Sequence, residues 1–88
     1  MIMHPEDRLL ERGFEKTGYG EYEAYNFGER IIFVIMPVNK GLNYQNKGWE
    51  TEVFVEDDFG QVVDREIVAR TDSERAALEA ALSWLGPK

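Results

Sequence analysis

The sequence predicts a two-layer α+β domain: a short N-terminal helix, an antiparallel meander sheet of four to five strands, and a C-terminal helix. Three observations predict it. Apolar segments through the middle of the chain are separated mostly by short glycine-containing turns, which suit hairpins and are too short for parallel crossovers. One of these segments, Arg30–Val38, is apolar on both of its faces. A helix-capping signature stands directly before a stripe of leucine and alanine near the C-terminus.

The first helix is read over Pro5–Gly13. Proline suits the first turn, Glu6 and Asp7 follow at the positive end, Arg12 sits near the negative end, and Gly13 can adopt a left-handed stop. Leu9, Leu10 and Phe14 are its expected anchors to the core. Strands are then expected at Phe14–Thr17, Glu21–Phe27 and Arg30–Val38, with turns at Gly18-Tyr19-Gly20 and Gly28-Glu29. In the third strand Ile31, Phe33 and Ile35 point one way and Ile32, Val34 and Met36 the other, as a central strand covered on both sides would require.

Residues Asn39–Gly48 read as a ten-residue loop, long for a hairpin. Trp49–Glu56 alternates, with Trp49, Thr51, Val53 and Val55 opposed to Glu50, Glu52, Phe54 and Glu56. Asp57-Asp58-Phe59-Gly60 turns into a last strand over Gln61–Ala69. Thr71-Asp72-Ser73-Glu74 has the form of a capping box with Thr71 as the cap. The helix that follows carries Leu78, Leu82 and Leu85 on one stripe, widened by Ala77, Ala81 and Trp84, and Gly86-Pro87 ends it. Residues 1–88 are expected to form one domain with both helices on one face of the sheet.

Composition narrows the chemistry. A chain of 88 residues with 43% hydrophobic and 12% aromatic residues is that of a folded domain, not a disordered one. At this length folding hides only about 60% of the unfolded surface, so a partner or second copy would add stability. There is no cysteine, which removes disulfides, thiolate nucleophiles and cysteine zinc sites, and points to a reducing, cytoplasmic setting. Met1–Asp7 lacks the basic-then-apolar order of a signal peptide, and Ile31–Val38 is far short of the roughly 20 residues a membrane helix needs. No membrane association is expected. The net charge of −7 has the wrong sign for direct nucleic-acid binding, which gains affinity by neutralising phosphates.

Catalytic groups are sparse. His4 is the only histidine and reads as a helix-capping or exposed residue, while Ser73 falls in the cap region and Ser83 late in the same helix. No triad is therefore expected. Lys16, Lys40, Lys47 and Lys88 all fall at expected exposed positions. Gly18-Tyr19-Gly20 precedes a strand and lacks the spacing of a dinucleotide fingerprint, and no phosphate-loop motif occurs. Asp57, Asp58 and Asp64 do not follow the alternating ligand pattern of a calcium loop, so no metal, cofactor or catalytic residue is assigned.

Two candidate partner-binding features stand out. Glu50, Glu52 and Glu56 share one strand face within an acidic stretch that runs to Glu66, and Glu21 and Glu23 form a similar pair. Alternate strand residues are about 6.6 Å apart, against a DNA charge every ~1.7 Å, so one strand alone is a sparse imitation of a phosphate track. The second feature is the long loop, where Tyr44 stands among Asn43, Gln45 and Asn46 as an aromatic among adaptable amides does in recognition surfaces. The general plan resembles that of small bacterial and phage proteins, without a signature motif and without functional residues to carry over.

These readings give a small acidic non-catalytic protein-interaction module, expected to pair with itself or another protein through an uncovered sheet face carrying either Ile32, Val34 and Met36 or Ile31, Phe33 and Ile35, the first set being taken as the candidate partner residues. A second reading is an acidic decoy that binds a basic, nucleic-acid-binding protein through Glu50, Glu52 and Glu56. A third is a small enzyme using carboxylates, which would require a concave pocket holding an acid of perturbed pKa.

Overall fold

The computed structural model describes residues 3–26, 28–39 and 46–86. The chain runs α1 (Pro5–Glu11), β1 (Glu15–Gly18), β2 (Glu21–Asn26), β3 (Glu29–Asn39), β4 (Asn46–Glu56), β5 (Val62–Thr71) and α2 (Glu74–Leu85). The strands form one antiparallel sheet in the order β1-β2-β3-β4-β5, a simple meander. The expected fold class is the observed one.

Helix α1 starts as its sequence dictates. Pro5 occupies the first turn, and His4 caps it by accepting a hydrogen bond from the Glu6 amide at Nδ1, 3.1 Å away. Gly13 ends the segment at φ +94°. A helix of seven residues can bury only one narrow stripe. Leu9 is fully buried, whereas Leu10, expected as an anchor, is 42% exposed.

Register assigns the two faces of the sheet. Phe33 lies between Tyr22 and Val53, Ile31 opposite Val55, and Ile35 opposite Thr51. This face is the core, with Phe14, Tyr22, Phe33, Ile35 and Val53 buried beneath Leu9, Ala77, Leu78, Ala81 and Leu82 of the helices. Phe33 is its centre, 5.4 Å from the Phe14 ring and 5.7 Å edge-on from Trp84. Thr51 is the one buried polar residue of the described chain, and its hydroxyl donates to the Ala77 carbonyl at 2.8 Å. That bond pins α2 to β4.

The C-terminal helix begins two residues later than the capping-box pattern indicates. Ser73 is the cap, accepting from the Ala76 amide at 3.1 Å. Thr71 is the last residue of β5, and its hydroxyl donates to the Ser73 carbonyl instead. Both ladder pairing with Trp49 and a serviceable serine downstream favour this outcome. At the other end Arg12 donates to the carbonyls of Leu82 and Gly86, at 3.4 and 2.6 Å, where a cation suits the negative helix terminus. No helix among the described residues is long and apolar enough to cross a membrane.

A polar cluster closes the core beneath α1. Tyr22 donates its hydroxyl proton to Glu6 Oε1 at 3.0 Å, and Lys16 Nζ lies 3.0 Å from the same oxygen. Lysine and tyrosine together hold the Glu6 carboxyl below its usual range, the lysine hydrogen bond contributing most. Burial, then the adjacent carboxylate, pushes the Tyr22 phenol well above its ordinary value. The folded phenol therefore retains its proton when the unfolded one, at about pH 10, has lost it. The stability tied to Tyr22 is present below about pH 10 and is lost as pH rises toward the folded value. The urea midpoint is expected to fall between about pH 9 and about pH 11, and to fall less in Tyr22→Phe. Equal falls in the two proteins would contradict this.

Candidate interaction surface

The helices leave the second face of the sheet bare, and the register places its side chains in rows across the strands. One row reads Glu15, Glu23, Ile32, Phe54, Arg65 from β1 to β5. The next reads Gly18, Glu21, Val34, Glu52, Ile67. Beyond it lie Met36, Glu50 and Arg70, and on the other side Tyr25, Arg30, Glu56 and Val62. Ile32, Val34 and Phe54 are half-buried by their neighbours, while Met36 and Ile67 are each 48% exposed. An apolar patch thus occupies the middle of a face on which no second layer lies among the described residues.

Ion pairs frame the patch. Arg30 Nη2 lies 2.8 Å from Glu56 and Nη1 3.6 Å from Glu23. Arg65 Nε is 2.7 Å from Glu52, and Arg70 Nε 3.2 Å from Glu50. The Arg65 guanidinium also stands 5.2 Å from the centre of the Phe54 ring, a cation–π distance. Hydrogen bonding with Tyr25, then the charges of Glu56 and Glu23, raises the Arg30 pKa further above its already high value. Each acid of the β4 trio therefore carries an arginine, and the trio does not present bare charge.

Six of the seven sequence-derived partner residues, Ile32, Val34, Met36, Glu50, Glu52 and Glu56, are brought onto this one face. Tyr44 and the core of its loop lie outside the described residues. Arg65, Ile67 and Arg70 are members that sequence reasoning missed. Register shifts between Thr51 and Glu52, and between Val55 and Glu56, change which residues of β5 face which side. Arg65 and Ile67 consequently share a face with Arg70, although simple alternation would oppose them. The acidic stretch is divided for the same reason. Asp64 and Glu66 pair with Val55 and Val53 on the helix side, and Glu66 accepts from the Trp84 indole at 2.6 Å.

Two open hollows mark the described surface. A hollow of about 500 Å³ between the helices is lined by Arg8, Glu11, Arg12, Glu79, Leu82 and Ser83, but its Arg12 is committed to the end of α2. A hollow of about 180 Å³ at one end of the open face is lined by its Tyr25, Arg30 and Glu56 together with Asp57 and Asp58 of the adjoining turn. Asp57 shapes its own turn, accepting from the amides of Phe59 and Gln61. Among the described residues no group of three acidic or histidine side chains could hold a metal ion. No known protein family, curated protein or solved structure matches the chain.

Proposed function

We propose that this chain is a small acidic protein-interaction module, non-catalytic, that works through the open face of its sheet. One observation carries the reading. A solvated antiparallel face is normally polar, yet here β3 presents Ile32, Val34 and Met36, extended sideways by Phe54 and Ile67. Contiguous apolar surface of this kind marks contact sites. Phe54, Met36 and the neighbouring arginines are also residue types enriched at protein interfaces. The absence of cysteine supports a reducing, cytoplasmic setting as part of the same proposal.

The acidic-decoy reading draws less support, because Glu50, Glu52 and Glu56 are each paired with arginine on their own sheet. A photo-crosslinking residue at position 36, compared with one at the exposed helix position Glu79, tests the proposal in the native host. A discrete protein adduct is expected at position 36 only. It should be competed by unlabelled chain and not by a folded Val34→Glu chain. No discrete adduct at position 36, or equal yields at both positions, would overturn the reading.

A further inference from the structure

Resting on that reading, we infer that the partner of the open face is a second copy of this chain, stacked sheet to sheet about a two-fold axis parallel to β3. The charge distribution along the row that runs from Glu15 to Arg65 is the argument. In Glu15, Glu23, Ile32, Phe54, Arg65 the first strands are acidic, the centre is apolar and the last strand is basic. Glu15 and Glu21 have no ion-pair partner among the described residues, while every arginine on the face lies on β3 or β5.

Two in-plane axes can bring identical sheets face to face. An axis running across the strands sets β1 over β1, so unpaired glutamates oppose unpaired glutamates. An axis along the strands exchanges the two ends of each row. It keeps β3 over β3, so that Ile32, Val34 and Met36 meet their own copies; Arg30, already held between Glu56 and Glu23, also meets its own copy, and Glu21 falls over the Glu52–Arg65 pair. It also carries Glu15 over Arg65, reciprocally at both ends, as an isologous contact requires. Packed sheets stand about 10 Å apart and within about 30° of parallel, a gap that glutamate and arginine side chains span together. Edge pairing is the weaker alternative. β1 has only four residues and β5 carries two register shifts, which interrupt the ladder a new strand would need.

The test is sedimentation of the purified full chain with two charge reversals, Glu15→Arg and Arg65→Glu, circular dichroism verifying that each folds. The native chain is expected to dimerise. Each variant alone places like charges at both ends of the row and should dimerise about tenfold more weakly. An equimolar mixture of the two restores opposite charges at both ends and should recover the native affinity, which a misfolded variant could not do. Dimers indifferent to both reversals, or no recovery on mixing, would overturn this arrangement. A native chain that stays monomeric at high micromolar concentration would overturn self-association altogether. The position-36 crosslink can still succeed in that case with a different protein, so the two proposals fail separately.

Discussion

Replacing Phe33 with alanine is expected to remove about 3–5 kcal/mol of stability, a large part of what a domain of this size possesses. Phe33 is fully buried and touches all three sources of the core: Phe14 after α1, Val53 opposite it on β4, and Trp84 of α2. Truncation removes the apolar transfer term and also leaves a cavity between rigid elements that cannot close over it. The adjacent residue supplies the comparison. Val34 points to the open face and is only half-buried, so Val34→Ala should cost less than about 1.5 kcal/mol in a dilute chain. Urea midpoints with unchanged slopes, measured at low concentration, read both values. Equal losses at residues 33 and 34 would mean that the faces are not as different as described.

The second large effect is expected at Gly20, in the turn between β1 and β2. Its φ is +74°, and a Cβ there would lie 2.2 Å from the Ile35 carbonyl oxygen. The same residues are tied by a hydrogen bond from the Ile35 amide to the Gly20 carbonyl, 2.7 Å long, so the turn lies flat against β3. Gly20→Ala should therefore incur about 1–2 kcal/mol for the left-handed backbone and a further ~1–3 kcal/mol for the forced displacement. Gly60 separates the two contributions. It has a similar φ of +79° but nothing within 4 Å of the added carbon, so Gly60→Ala should show the conformational part alone. Matching denaturation midpoints for the two variants would remove the close-approach argument.

Much of this architecture was legible from periodicity and punctuation. The hairpin turns at Gly20, Gly28 and Gly60 fall where glycine stands in the sequence, and each has positive φ. The doubly apolar pattern of residues 31–36 correctly marked β3 as the middle strand, and with both helices expected on one face of the sheet it already pointed to a second face left open. Sequence pattern registers how apolar each face is, not which of the two a layer covers. Strand ends were less legible. β3 and β4 run through Asn39 and from Asn46, into what read as loop, because ladder pairing can continue through polar residues. The helix start was misplaced for a related reason, since β5 claims Thr71 before the cap can. The arginines that β5 adds to the open face were hidden by its register shifts, which no local alternation rule contains.

Those same shifts govern the form that association can take. A flat, regular outer strand would let copies add side by side without end, as fibrils do. Here one boundary of the sheet is short and the other is broken in two places. The remaining direction for growth is perpendicular to the sheet, and α1 and α2 already occupy one of its two sides. A single additional sheet saturates the other. Under the stacking proposed above, the geometry acts as a stopping rule, and the assembly is complete at four layers.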